Sequence, residues 1–327
     1  MKLKLTILSL LCLGLFINSC SSDKEFKELS LAYVMSPGGT SHEAAMKFSE
    51  IISEKSKGKI KVRLYPNGIL GNDRTLLEGL RLRSIDIIFT GPSIIGWNAP
   101  EYGVIEAPFV FRDYEHMEKV MRGSIGKDIE DIMYKKRKVH FLSFLHRGQR
   151  YLTTTNRIVK VPEDLSGLKL RVPELPTYIK SWKIFGANPT PLAYSDIFMA
   201  LKQGVVDGQE NPLEVVYTSH LYEIQNYVMK TEHLISFYLM CIGDYFYTKF
   251  SQQEQELIVD AVNEITVYHN ELVKQFESKY IAELEASGVQ FIDIDKSSFE
   301  ELAIQKLPNM FKDIWKPNIY QRIRDIK

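Results

Sequence analysis

The side chains best able to do chemistry lie in the middle of the chain. Arg171 stands inside the apolar run LKLRVPE, immediately before Val172-Pro173. A guanidinium at the carboxyl end of a strand can point into a cleft, where its planar fork gives a carboxylate two parallel hydrogen bonds and keeps its charge. The alternative is an ion pair with Glu174 or another surface acid. Arg150 and Arg157 flank YLTTTN and either add a second positive contact or end a solvated strand. The segment VVDGQENPL, Val205 to Leu213, says more. Gly208 permits backbone angles that other residues avoid, Pro212 forces a turn, and Asn211 before it is held extended. Such a loop is expected to project Gln209, Glu210 and Asn211 from a strand end, where an amide donates to a carboxylate or accepts from a hydroxyl. The plainer alternative is a capped turn that starts a helix from Leu213 to Ser219.

Other chemistries lack their residues. There is no Gly-rich phosphate loop, no serine nucleophile elbow, no HExxH, and no paired Cys or His at metal-ligand spacing. The seven histidines are scattered. The expectation is therefore a protein that is not an enzyme and has neither metal nor cofactor. With 41 basic and 41 acidic residues in 327, no global field recruits nucleic acid.

Elements able to position these groups are legible from periodicity. Leu29–Val34 reads as a strand, Ser41–Ser56 as a helix, Lys59–Tyr65 as an alternating strand, Asn72–Arg83 as a helix and Asp86–Phe89 as a buried strand. This β-α-β-α-β order favours a parallel sheet with ligands bound beyond the carboxyl ends of its strands. A second cycle begins with the strand Val139–Phe144, and continues through Leu168–Val172 and the helices Pro176–Phe185 and Ser195–Gln203. LLEGLRLRSIDIIF (76–89) and IFMALKQGVVDGQE (197–210) match in kind, since in both an amphipathic helix runs into a short strand carrying an Asp. Two α/β lobes with a cleft between them follow. One amphipathic helix from about Gln252 to Ser287, about 50 Å long, could brace both lobes; the alternative is a kink near His269-Asn270.

The N-terminus has its own pattern. Met1–Lys4 carry positive charge, Leu5–Ile17 form an apolar run too short to span a bilayer, and Asn18-Ser19-Cys20 follow. That is an export signal, and Cys20 with Ser21-Ser22-Asp23 behind it resembles a bacterial lipoprotein site, in which the processed cysteine is acylated. Cys12 and Cys20 fall in or at the edge of the signal, so Cys241 is the one thiol of the mature body and a candidate core residue.

YPNGILG (65–71), APFVFRDYEH (107–116), PEDLSGLKLRVPE (162–174), GANPTPLAYSDIFMALKQGVVDGQENPL (186–213) and LYEIQNYV (221–228) together resemble the periplasmic binding proteins of TRAP transporters, the DctP-like family. The resemblance runs from about Leu29 to the C-terminus. It implies the two-lobed α/β periplasmic-binding-protein architecture, with a central cleft and a long helix bridging both lobes. The signal would end at Cys20 and a linker occupy 21–28. The first lobe would hold 29–148 and about 237–275, the second 149–236 and about 276–327. The function implied is capture of a small carboxylate by cleft closure and its delivery to TRAP membrane permease subunits. The ligand would be a sugar acid such as a uronate or aldonate, or a C4-dicarboxylate or other organic acid. Alternatives are a sensing subunit for a membrane kinase, or a secreted enzyme on a similar scaffold. The family's carboxylate-pairing arginine carries over to Arg171, its amide to Asn211 and its aromatic to Tyr194, while Arg150, Glu210 and His233 are further candidates. After the third strand the sialic-acid branch has an acidic and a basic contact where this chain has Thr90-Gly91-Pro92-Ser93-Ile94, which argues against sialic acid. Trp97 could offer a flat face to a sugar ring, or simply pack in the core. The expected setting is the periplasm or the outer face of the cytoplasmic membrane, as a lipid-anchored monomer.

Overall fold

The structure, a computed structural model, describes residues 26–327; the apolar leader and Cys20 lie outside the described residues. β1 (Lys27–Tyr33), α1 (Thr40–Lys55), β2 (Ile60–Tyr65), α2 (Asp73–Arg81) and β3 (Ile87–Thr90) form the opening cycle. β1 starts two residues before the expected linker ends. Helices α3 (Ser93–Asn98), α4 (Tyr114–Arg122) and α5 (Ser124–Arg137) follow, and then β4 (Val139–Gln149) passes into β5 (Tyr151–Thr154) with only Arg150 between them. The second cycle comprises β6 (Lys169–Val172), α6 (Pro176–Phe185), β7 (Asn188–Pro191), α7 (Ile197–Lys202), β8 (Gly208–Asn211) and α8 (Leu213–Thr218). β9 (Tyr227–Met229), β10 (Ile235–Gly243), α9 (Phe246–Lys249), α10 (Gln252–Ala286), β11 (Gln290–Ile292), α11 (Lys296–Met310) and α12 (Ile319–Arg324) complete it.

The strands make two sheets, β2-β1-β3-β10-β4 and β11-β9-β5-β8-β6-β7. They are mixed rather than wholly parallel: β10 runs against β3 and β4, and β5 runs against β8 and β9. The cause is the path of the chain, which crosses to the second sheet through β4–β5 and returns through β9–β10. The two crossings are tied together, because Arg150 N–H donates to Leu234 O (3.0 Å) and Leu152 N–H to Thr231 Oγ1 (3.1 Å). β10 lies between β3 and β4 in the first sheet with every residue buried. Cys241 packs there as a free thiol.

The internal likeness extends to single hydrogen bonds. Asp86 accepts from Ser30 N–H (2.8 Å) before β3, and Asp207 accepts from Lys169 N–H (3.0 Å) before β8. The turns ahead of these strands also match, with Arg83 at φ 64° where the other lobe has Gly204 at φ 69°.

α10 is one unbroken helix of 35 residues, opened by a reciprocal Ser251–Glu254 capping box. Ile258, Val262 and Ile265 pack in the first lobe's core, and Tyr280 and Leu284 in the second's, so the helix braces both. Helix α11 packs on α6 through Phe299 and Phe185, whose ring centroids are 5.3 Å apart. Beyond it the chain returns to the first lobe: Lys316 N–H donates to Glu101 O (3.0 Å) and Tyr320 Oη to Pro108 O (2.9 Å). Assigning everything after residue 276 to the second lobe therefore does not describe this tail. Its Trp315, Ile319 and Ile323 bury their apolar surface against the first lobe's segment instead. Among the described residues no helix is long and apolar enough to cross a membrane.

Candidate functional site

Strand ends from both sheets meet around one cavity of about 90 Å³. The second lobe brings Arg171 at the end of β6, Asn211 at the end of β8, Tyr178 on α6 and Tyr194 after β7. The first lobe brings Asp73 at the start of α2, Trp97 on α3, Glu106, and Arg147 on β4. The cavity opens through Asn72, Asp73 and Tyr194 into a wider mouth between the lobes.

Arg171 is 3% exposed, and makes no ion pair with Glu174. Its Nε and Nη2 both donate to Leu192 O (3.0 and 2.7 Å), which fixes the plane of the fork and leaves Nη1 uncommitted toward the cavity. Burial pushes its pKa down to about 10, with the Glu210 carboxylate resisting, so the group stays charged at neutral pH. A buried cation without an acidic partner is costly unless something else supplies the anion.

The segment expected to be a loop is the strand β8, hydrogen-bonded between β5 and β6. Because successive side chains alternate faces, its polar residues separate. Asn211 turns to the cavity. Glu210, expected among the ligand contacts, is fully buried behind the wall, where it takes Arg150 Nε (2.6 Å) and Nη2 (2.7 Å) on its two oxygens. His233, also expected at the ligand, donates from Nε2 to Glu210 Oε2 (3.0 Å), while its Nδ1 meets Thr231 Oγ1 (2.8 Å). Neither Glu210 nor His233 borders the cavity. Burial raises the Glu210 pKa, but the Arg150 charge and the hydrogen bonds outweigh it and hold the carboxyl well below its usual range. Arg150 does border the cavity, yet its charge is already met by Glu210.

This pair also orients Asn211. Arg150 Nη2 donates to Asn211 Oδ1 (3.0 Å) and Asn211 Nδ2 donates to Gln209 Oε1, so the amide keeps one free N–H for a ligand. Gln209 continues inward to Thr153 Oγ1 (2.8 Å), which donates to Gln225 Oε1 (2.9 Å). Tyr194 is held by Ser219, its hydroxyl 2.8 Å from Oγ. Arg157 lies outside the site, with Nη1 donating to Ser166 O (2.7 Å).

Trp97 borders the cavity, but its ring does not offer two open faces. The Arg74 guanidinium stacks 3.9 Å from the ring centroid, and Nε1 is committed to Glu174 O (3.2 Å).

The cavity residues that the sequence reading does not single out include Asp73, Glu106, Arg147 and Tyr178. Asp73 accepts from Thr90 Oγ1 (2.6 Å). Glu106 is 1% exposed; Oε1 accepts from Ser93 Oγ (3.1 Å) while Oε2 has no partner. Burial raises the Glu106 carboxyl to about 7 against the pull of Ser93 and Arg150. The signal that singles out Arg171, a charge set into an apolar run, is present for Glu106 in GVIEAPFVF. Arg147 sits near the end of a strand whose length periodicity understates. Among the described residues no cluster of side chains could hold a metal ion.

Two linked α/β lobes enclosing a small cavity lined by fixed donors and unpaired charge define a solute-binding protein. The chain matches the family described as bacterial extracellular solute-binding protein, family 7 (DctP), over residues 31–318, and belongs to it. A solute-binding protein of Roseobacter denitrificans is 33% identical over 96% of this chain and 94% of its own length. The 2,3-diketo-L-gulonate-binding periplasmic protein YiaO of Escherichia coli is 31% identical over 96% of each chain. Among solved structures, a TRAP periplasmic solute-binding protein from Roseobacter denitrificans with bound L-galactonate superposes with a TM-score of 0.84 at 31% identity, covering 92% of this chain and 98% of that one. One from Sulfurospirillum deleyianum with bound succinate gives 0.86 at 27% identity, covering 93% and 99%. The chain is thus an extracytoplasmic solute-binding protein of the TRAP type.

Proposed function

We propose that the cleft captures a small carboxylate, with Arg171 as the anion anchor, Asn211 as a second donor and Tyr194 as a wall, and hands it to TRAP permease subunits. The observation that carries this reading is the buried Arg171 guanidinium, held flat by Leu192 O and without an acidic partner. The ligands bound by two of the relatives, L-galactonate and succinate, are both carboxylates and support it. Closure lowers the local dielectric, which strengthens the ion pair and gives the permease a shape distinct from the empty one. Arg150, Glu210 and His233 act behind the ligand, as the frame that orients Asn211. The ligand leaves unchanged, since binding and release break no bond.

Cys20 carries a lipid anchor in this reading, supported by LFINSC-SSD alone, and the protein works as a single copy. Membrane fractionation of Cys20→Ser against wild type tests the anchor; equal partitioning would remove it. For the site, a thermal-shift panel of organic and sugar acids is decisive, because a ligand at a hundredfold excess over Kd adds about 2.7 kcal/mol of stability. With the best acid, Arg171→Gln is expected to lose about 2–5 kcal/mol of binding. An undiminished shift would rule out Arg171 as the anchor.

A further inference from the structure

We infer that Arg147 is the first lobe's own anion-facing guanidinium, and that the carboxyl groups lining the cavity select a monoanionic polyhydroxy acid over the diacid of the same length. The inference rests on the carboxylate reading above and asks which carboxylates the cleft admits.

Arg147 lines the cavity from β4 and makes neither a hydrogen bond nor an ion pair among the described residues. Its Nε is buried without a partner, and its guanidinium lies 4.6 Å from the centroid of the Tyr238 ring. Tyr238 presents an aromatic face and no counter-charge. Arg147 therefore resembles Arg171 and differs from Arg150, which Glu210 neutralises. Two free guanidiniums, one from each lobe, thus face one cavity.

Carboxyl groups line the same cavity. Burial raises the Asp73 carboxyl above its ordinary value, against the Thr90 hydrogen bond and the charges of Arg147 and Arg171. Burial raises Glu106 to about 7, so at neutral pH about half of it is protonated. Two unpaired guanidiniums thus share the cavity with the carboxyl groups of Asp73 and Glu106, and Arg147 also borders a smaller cavity with the buried Glu214. One ligand carboxylate meets these guanidiniums, whereas a second at the other end of the ligand would be buried beside Asp73 and Glu106, and an unpaired buried charge is strongly disfavoured. The Asp73 carboxyl and the unpartnered Glu106 Oε2 suit the hydroxyls of an aldonate, which donate to an ionised carboxyl and accept from a protonated one, whereas a terminal carboxylate would only accept.

The test uses matched pairs of aldonic and aldaric acids of four, five and six carbons, which differ only in whether the terminal carbon is a hydroxymethyl or a carboxylate. Affinities are measured calorimetrically at pH 7. For the best chain length the aldonate should bind the wild type about a hundredfold more tightly than its aldarate. Arg147→Gln should weaken the aldonate at least about tenfold, while the melting temperature of the empty protein, which loses no hydrogen bond, stays the same or rises. Asp73→Asn should move the aldonate-to-aldarate ratio toward the diacid by about tenfold or more. Equal or tighter binding of the aldarate to wild type, or an Arg147→Gln variant that melts normally and binds the aldonate as before, would overturn the inference and leave the role of Arg171 standing. No binding by any acid would overturn the carboxylate reading itself.

Discussion

The two lobes are built alike and finished differently. Both run a helix through a left-handed turn into a short strand whose leading Asp, Asp86 or Asp207, ties down the neighbouring strand. At the carboxyl end of β8 the second lobe then assembles Arg150, Glu210, His233, Asn211 and Gln209 into a network in which the buried polar atoms are already met. At the matching end of β3 the first lobe has Thr90-Gly91-Pro92, and its cavity groups, Glu106 Oε2 and Arg147 Nε, are left without partners. A pre-satisfied surface receives a ligand with little rearrangement. An unsatisfied one gains from closing over it. The second lobe is thus the platform and the first the cover.

The sharpest way to break this contrast is to damage the platform. Glu210→Ala leaves the Arg150 guanidinium buried and unpaired, and should destabilise the empty protein by about 3–5 kcal/mol in a urea titration. A loss below about 1 kcal/mol would mean that the network is not a stability element and that the contrast is false.

The cover should respond in the opposite sense. The Glu106 carboxyl is raised in the folded protein from 4.5 to about 7, so between those values the folded state holds a proton that the unfolded state has lost. Stability must then fall as pH rises across that window. Its contribution is intact below about 4.5 and lost above about 7, a difference on the order of 3 kcal/mol. Glu106→Gln should flatten that part of the profile and make the empty protein more stable than wild type at pH 8, as chemical denaturation at a series of pH values would record. A parallel decline in both proteins would place the pH dependence elsewhere.

The smallest effect lies in the matched turns. Gly204 takes its left-handed angle freely, whereas Arg83 holds φ 64° against its own side chain. Gly204→Ala should cost about 1 kcal/mol and Arg83→Gly should gain up to about 1 kcal/mol. If the two substitutions shift stability in the same direction, the turns are not equivalent.

Much of this is visible in the sequence because it depends on short-range pattern. The opening β-α-β-α-β order, the long α10 and the paired LRSID and QGVVD turns follow from periodicity and a few glycines. Strand β10 is not read so easily. ISFYLMCIG is apolar throughout, and a strand buried on both faces has no alternation to betray it. The sheets are mixed for a reason no local window contains, since β5 and β10 owe their direction to the crossings. Within the site, Arg171, Asn211 and Tyr194 border the cavity, whereas Glu210 and His233 are hidden behind it by the alternation of a strand that reads as a loop. Glu106 is a charge in an apolar run, whereas Arg147 stands among His146, Gly148 and Gln149, and only the fold brings both to the cavity of Arg171.

The central claim is that the cleft closes on a carboxylate held by Arg171. The most direct measurement is a crystal structure of the protein with the tightest-binding aldonate. The carboxylate oxygens are expected about 2.7–3.2 Å from Arg171 Nη1 and from the free N–H of Asn211, with Arg150 still paired to Glu210. A ligand whose carboxylate points to the mouth at Arg74, leaving Arg171 bound only to Leu192 O, would contradict the account.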